Sequence, residues 1–246
     1  MASDIRETPF VKQLAANDRP TREKALDSLR TYLTSGRDFT RTDLLKIWKG
    51  LFFCIYHTPP PSPYAPQTHL THSLTSLLLS LPTPLFIPFL TAFWSTINTY
   101  YPSLPHLRLD KYLYLIRQYI ASSFNYLSRQ GWYEGLVGAW VEMMQGKGEE
   151  GVGPLSVRDG RVSDGVRYHV LDVWVDGLVG AEGWEEVVRK GGVMRPVEEL
   201  RVGGRTKTVR ERAREVLEDE RLKDEEGEKA EEEAGNEDGE WGGLED

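Results

Sequence analysis

The sequence predicts an all-α protein, a HEAT/armadillo-like stack of antiparallel helix pairs followed by an acidic C-terminal tail. Apolar residues recur at the three- and four-residue spacing of helices through most of the chain, and no segment alternates cleanly at the two-residue spacing of strands. Short polar or proline-rich stretches join the apolar segments, as in stacked helical pairs. We therefore predict a helical domain over residues 1–217 and a tail over residues 218–246.

The first two predicted helices have recognisable start signals. Asp18 stands two residues before Pro20, a favourable combination of N-cap and first-turn proline. Thr40 and Asp43 have the spacing of a capping box, with Asp in place of the usual Glu. The prolines between residues 59 and 66 then predict an extended connection, because proline cannot continue a helix.

Five further helices are predicted from the same periodicity. They cover residues 67–81, 86–97, 107–128, 132–144 and 166–179. No repeat recurs at a fixed period, so the stacked arrangement is inferred from the helix pattern alone. From Glu218 onward the sequence is acidic and of low complexity, which predicts a disordered segment or a solvated helix.

The charge is distributed unevenly along the chain. The 246 residues have a formal net charge of -8, yet residues 1–130 hold 14 Lys and Arg against 8 Asp and Glu. Residues 218–246 hold 3 against 15. A basic body joined to an acidic tail favours a polyanionic partner for the body.

The remaining composition indicates an intracellular, soluble protein without a membrane span. Cys54 is the only cysteine, which excludes an intramolecular disulfide and a thiolate metal cluster and fits a reducing compartment. The polar N-terminal residues do not resemble a secretory signal. Pro82, Pro84 and Pro88 interrupt the longest apolar stretches.

Two candidate chemical motifs are better explained by structural roles. The run from Gly146 to Gly151 formally matches G-x-G-x-x-G, but it follows a predicted helix and contains two glutamates, so we interpret it as a loop. His169, Asp172 and Asp176 share one face of a predicted helix, as metal ligands can. Such a trio more often caps helix ends or pairs with arginine on an adjacent helix. We predict no catalytic residue, metal or cofactor.

Basic residues form the candidate binding surface. They flank the apolar faces of two predicted helices and precede the acidic tail, and they are Lys46, Lys49, Arg108, Lys111, Arg117, Arg205, Lys207 and Arg210. Arg212 and Arg214 extend the last group. These charges either form an ordinary solvated face with short ion pairs or contact RNA phosphates, in which case each contact adds salt-dependent affinity.

Two long segments are distinctive: LLKIWKGLFFCIYHT at residues 44–58, with Gln67 beyond it, and RLDKYLYLIRQYIASSF at residues 108–124. A third, YHVLDVWVDGL, covers residues 168–178. In this order they resemble the signatures of the eukaryotic ribosomal RNA processing protein one family, and the resemblance covers roughly residues 9 to 217. Gly177 stands where the family has an acidic residue, and the acidic tail stands where many members have a basic one.

This resemblance implies an all-α, HEAT-like nucleolar protein that joins early precursors of the large ribosomal subunit and supports pre-rRNA processing in the internal spacer. Our leading hypothesis is a non-catalytic scaffold that binds pre-rRNA, ribosomal proteins and other pre-60S assembly factors, with no small-molecule substrate. The second hypothesis is an adaptor that binds only proteins. The third is a metal-dependent nuclease built on the face of His169.

Overall fold

The computed structural model describes residues 13, 14, 16, 18–57, 66–148 and 151–223, and in these ranges it contains helices and no strand. The predicted all-α class is therefore confirmed. The α-helices of this part are α1 (Arg19–Leu33), α2 (Arg41–His57), α3 (Pro66–Leu79), α4 (Thr83–Tyr100), α5 (Leu109–Arg129), α6 (Glu134–Gln145), α7 (Asp164–Asp172), α8 (Trp174–Val179), α9 (Trp184–Arg189), α10 (Arg195–Gly203) and α11 (Lys207–Leu217). Short 3-10 helices cover Tyr101–Ser103, His106–Arg108 and Glu220–Leu222.

The helices stack in two layers, because the main contacts join every second helix of the chain. In one layer α1 contacts α3, α3 contacts α5, and α5 contacts α7 and α8. In the other, α2 contacts α4, α4 contacts α6, and α6 contacts α10. Helix α11 contacts both α7 and α10, so it joins the two layers at the C-terminal end. This is the neighbour pattern of stacked helical pairs, and it confirms the predicted HEAT-like architecture.

The first two helices begin where the sequence predicts. The carboxylate of Asp18 accepts a hydrogen bond from the backbone N–H of Thr21, 2.9 Å away, and so caps α1. At the start of α2 the Asp43 N–H donates to the Thr40 hydroxyl and the Thr40 N–H donates to the Asp43 carboxylate, both over 3.2 Å. The capping box is therefore present in its reciprocal form.

An aromatic cluster connects the layers. The Trp48 ring lies between Phe89 and Phe93 of α4 and Tyr119 of α5, with centroid separations of 4.8 to 5.3 Å. Its indole N–H donates to the carbonyl oxygen of Phe89 over 3.0 Å, so the polar atom of this buried ring is satisfied. The second and fourth helices are thus held together around one tryptophan.

Helix α5 contacts several other helices, and three buried tyrosines at seven-residue spacing attach it to α2, to α3 and to the residues just after α3. The hydroxyl of Tyr112 donates to the carbonyl oxygen of Phe52 over 2.9 Å, and that of Tyr119 donates to Leu74 over 3.1 Å. The hydroxyl of Tyr126 donates to Leu81 over 2.8 Å. Residues seven apart share a helix face, so the spacing lines up all three bonds.

For two predicted helices the structure shows why the observed bounds differ. The helix predicted over residues 166–179 is interrupted at Val173, whose backbone leaves the helical region with φ -105° and ψ 1°, giving α7 and α8. The break lets α8 approach α5 closely, where Gly177 faces the backbone of Ala121. The helix predicted from residue 132 begins at Glu134, because Trp132 has a positive φ of 52° and its indole N–H donates to the carbonyl of Glu182.

The C-terminal part of the body contains helices that the sequence interpretation did not include. Helices α9, α10 and α11 cover much of the region after residue 179, and α11 buries Val209, Ala213 and Val216. Leu222 of the last 3-10 helix also packs against the core. The division of the chain at residue 217 stays a prediction, and residues 224–246, which hold most of the predicted tail, lie outside the described residues.

No helix of the described part is both long and apolar enough to cross a bilayer.

Candidate nucleic-acid interface

A stripe of basic and aromatic side chains follows the outer face of α2. Lys46, Lys49, Phe53 and Tyr56 are separated by three, four and three residues, which places them on one side of the helix. Lys46 is exposed and the other three are half-buried. Neither lysine forms an ion pair with another described residue. This is the kind of surface on which a polyanion is held by charge beside an aromatic edge.

Two of the predicted binding residues cap the end of α2 instead of facing solvent. The Lys111 ammonium donates to the carbonyl oxygen of Tyr56 over 2.9 Å, and the Arg108 guanidinium donates to the same oxygen. The guanidinium carbon of Arg108 also lies 4.1 Å from the centroid of the Tyr56 ring. Both cations therefore sit at the negative end of the α2 dipole.

Burial determines how readily the Lys111 ammonium loses its proton. Its side chain is 5% exposed, and desolvation, followed by repulsion from Arg108, lowers its pKa from 10.5 to about 8. The sequence interpretation placed Lys111 on the flank of α5, since a lysine beside an apolar stripe is usually solvated. The end of α2, which lies 55 residues earlier in the chain, covers it.

Among the predicted residues of α5, Arg117 keeps its charge exposed to a binding partner. Its side chain is exposed and forms no ion pair with another described residue. Its charge contributes to lowering the pKa of His169, which places it near the junction of α5 and α7. Because α5 and α2 belong to different layers, the predicted residues are distributed over both layers of the stack.

The third predicted group surrounds the start of α11. Arg205 is exposed, and its guanidinium lies against Gly160. Lys207 forms an exposed ion pair with Glu211 at 3.3 Å. Arg210 donates to the carbonyl oxygen of Gly204 over 2.7 Å, so it is partly engaged in holding the turn before α11. Of the three, Arg205 and Lys207 present their charges to solvent.

The sequence contains an N-cap and an apolar stripe for α11, but the stripe is short. Thr206 accepts a hydrogen bond from the N–H of Val209 over 3.3 Å and caps the helix. Its apolar stripe consists of only three small residues among many charges, so the stretch resembles a basic run rather than a helix.

The polar trio on α7 and α8 is engaged in structural contacts. The ring of His169 hydrogen-bonds the carbonyl of Leu113 at 2.7 Å, and burial lowers its pKa more than this bond raises it. Asp172 pairs with Arg212, and Asp176 pairs with Arg221 at 3.0 Å. The predicted pairing of this trio with neighbouring arginines is confirmed for both aspartates. Within the described ranges no group of three His, Cys, Asp or Glu side chains is arranged to hold a metal ion.

Two other candidates have the predicted structural roles. Gly146 ends α6 with a positive φ of 68°, and the next N–H, that of Lys147, donates to Glu142, so the glycine run closes a helix. A dinucleotide fingerprint would open one. Cys54 is buried in the core, and burial raises its pKa to about 12, which suits a small hydrophobic residue rather than a nucleophile.

Comparison with known proteins identifies the family of this chain. Residues 5–242 match the family described as "Nucleolar protein, Nop52". The chain belongs to the Nop52 family. The family is one of nucleolar proteins, in agreement with the predicted localisation, and the resemblance to the ribosomal RNA processing protein one family is confirmed.

Individual relatives of this Nop52-family chain have the corresponding name. It is 30% identical over 190 residues to "Ribosomal RNA processing protein 1 homolog B" of Mus musculus and 32% identical over 187 residues to that of Homo sapiens. It is also 32% identical over 184 residues to "Ribosomal RNA processing protein 1 homolog A" of Homo sapiens. These matches cover 75%, 73% and 72% of this chain, but only 25%, 23% and 38% of the relatives.

Proposed function

We propose that the chain is a non-catalytic scaffold factor in biogenesis of the large ribosomal subunit. In this role it binds pre-rRNA and other pre-60S assembly factors, and it supports cleavage in the internal spacer by other proteins. The names of the relatives support a role in rRNA processing. The single observation that favours a scaffold is structural: within the described residues, Lys46 and Arg117 are exposed, Lys49 is half-buried, and none of the three forms an ion pair.

The engaged state of the polar trio argues against the nuclease hypothesis. A metal-dependent nuclease needs carboxylates that converge on an ion with open coordination positions. Asp172 and Asp176 instead each bind an arginine, and His169 binds a backbone carbonyl. These contacts attach α7 to α5 and α11, and they attach α8 to the last 3-10 helix.

A protein-only adaptor is the second candidate, and a specific observation favours it. Arg108, Lys111 and Arg210 donate to backbone carbonyls of this chain, which reduces the positive charge available for RNA. An adaptor would retain its partners through helix faces and would bind RNA weakly and with little dependence on salt.

Filter binding of an internal-spacer transcript at several salt concentrations separates the two candidates. The informative variant is Lys46→Ala with Lys49→Ala, and the matched control is Lys24→Ala with Lys190→Ala, which removes two exposed lysines from other parts of the surface. If the scaffold binds RNA through α2, the first variant reduces the slope of log affinity against log salt by about 0.7 to 0.9 for each phosphate that the protein no longer neutralises. The control leaves the slope unchanged. A flat salt response of the unmodified chain would favour the adaptor.

A further inference from the structure

A groove opens between the end of α6, residues 156–158, and the C-terminal halves of α10 and α11. It lies away from the α2 stripe, and the proposed function does not use it. Three of its lining side chains are apolar: Val202 is 75% exposed, while Val157 and Leu217 are half-buried. A valine that exposed beside two further apolar side chains is a surface that a second segment can cover.

The wall of the groove contains a buried polar group with no partner. Gln145 lines the groove at the end of α6, its side chain is 4% exposed, and its Nε2 makes no hydrogen bond with a described residue. Buried amide donors are nearly always satisfied, so this one indicates a missing acceptor. Because this nitrogen has almost no accessible surface, an acceptor in the groove would reach it only after the Gln145 side chain turned outward.

The charges of the rim favour an acidic occupant. Lys147 pairs with Glu199 and Arg214 pairs with Glu218 at 3.7 Å, so these two pairs are neutral. Arg158 and Arg201 are exposed and form no ion pair with described residues, while Glu198 is the one acidic lining residue left unpaired in that part of the chain. Arg205, just beyond α10, adds another exposed cation.

We propose that residues 237–246 of the same chain bind in this groove. Their sequence, EDGEWGGLED, places one large aromatic and one aliphatic residue, Trp241 and Leu244, among five acidic residues. In the whole segment 224–246, which lies outside the described residues, there are 12 acidic residues and one lysine, and no other large apolar residue. The apolar pair covers the apolar lining residues of the groove, and the carboxylates face Arg158 and Arg201.

The connection is long enough for this arrangement. The end of α11 lines the groove through Leu217 and Glu218, and the described chain ends five residues later at Lys223. The 18 residues from there to Trp241 span at most about 60 Å when extended, at roughly 3.3 Å per residue. A segment tethered at this length has an effective concentration on the order of millimolar, which permits a weak contact to form within the molecule.

Fluorine NMR of the full chain labelled with 5-fluorotryptophan tests the proposal. The resonance of Trp241 is assigned from its loss in Trp241→Phe, among the seven tryptophans of the chain. We expect it away from the position of a solvated indole, and we expect Val202→Asp to return it there. The matched control is Leu107→Asp, which adds the same charge at a residue that is 85% exposed and lies outside the groove. A solvated Trp241 resonance in the unmodified chain would overturn the proposal and leave the groove to a partner protein.

The concentration dependence distinguishes docking within one molecule from docking between copies. We expect the Trp241 resonance to be the same over a hundredfold range of protein concentration. A shift that appears only at high concentration would overturn the intramolecular arrangement and assign the groove to a second copy. Because each variant alters an exposed side chain or the C-terminal segment, the other tryptophan resonances report whether the body remains folded.

Discussion

Lys111, in the first turn of α5, donates a hydrogen bond to the carbonyl oxygen of Tyr56 in the last turn of α2, 2.9 Å away. The two residues belong to the two longest segments that resemble the family signatures. Their contact, shared with Arg108, joins one layer of the stack to the other at the corner from which the proline-rich connection departs. This contact between the two signatures therefore maintains the relative position of two helices.

The lowered pKa of Lys111 predicts a dependence of stability on pH. Between its folded pKa of about 8 and its unfolded pKa of 10.5, the unfolded chain binds more protons at this residue than the folded chain does. The free energy of unfolding due to this group therefore rises with pH across that window. We expect the wild type to gain stability relative to Lys111→Met, by about 1.4 kcal/mol per unit of pKa difference. Urea denaturation of both proteins at pH 7 to 10.5 measures this. A difference that is flat or falls with pH would contradict it.

The tyrosine contacts of α5 predict a modest, specific loss of stability. Tyr119→Phe removes the buried hydroxyl that bonds the carbonyl of Leu74, and we expect the free energy of unfolding to fall by about 1 kcal/mol. Tyr133→Phe is the control, because that side chain is 69% exposed and its change should stay within about 0.5 kcal/mol. Equal effects of the two substitutions in denaturant titrations would show that the Tyr119 hydroxyl does not help to hold α5 against α3.

We expect a substitution of Gly177 to lower stability strongly, because this residue is buried where α8 meets α5. A Cβ at this position would lie 3.2 Å from the Cα of Ala121 and 3.3 Å from its nitrogen, so backbone would have to move. We expect Gly177→Glu to lower stability by more than about 2 kcal/mol, through overpacking and an unpaired carboxylate.

Gly138→Glu on α6 is the matched control for this substitution. No heavy atom lies within 4 Å of its added Cβ, and glutamate is the better helix former, so we expect stability to be unchanged or slightly higher. Thermal unfolding of both variants checks the pair. A tolerated Gly177→Glu would mean that the close approach of α8 to α5 is absent.

The structural role of the polar trio predicts that its removal abolishes no chemistry. We expect the purified chain to leave labelled spacer RNA intact in the presence of Mg²⁺ or Mn²⁺, and His169→Ala, Asp172→Ala and Asp176→Ala combined to behave identically. Gel analysis of the RNA over time is the measurement. Cleavage by the wild type that is abolished in the triple variant would establish the nuclease hypothesis instead.

Local signals account for the parts of the fold that the sequence predicted well. Asp18 and the pair Thr40 and Asp43 act through residues three positions away, so their roles can be read from spacing alone. The long apolar stripe of α5 likewise needs no knowledge of its neighbours. In contrast, nothing local marks the break at Val173, since neither proline nor glycine stands there. The periodicity did not predict α11, because the buried face of this helix consists of only three small residues.

The candidate site was harder to predict, because exposure depends on distant parts of the chain. Lys111 and Lys46 both flank apolar stripes, yet the end of α2 buries the first and leaves the second in solvent. The sequence indicated that Asp172 would pair with an arginine but not which one, since Arg212 lies 40 residues later. The sequence therefore identifies the basic residues as candidates, and tertiary packing determines which of them stay exposed.

The most direct test of the scaffold proposal is a crosslinking map of isolated large-subunit precursors that contain the chain. We expect the chain to co-sediment with these particles. Crosslinks to pre-rRNA should concentrate on the α2 stripe of Lys46, Lys49, Phe53 and Tyr56, and they should disappear when both lysines are substituted. A chain that never co-sediments with large-subunit precursors, or that crosslinks there only to proteins, would contradict the proposal.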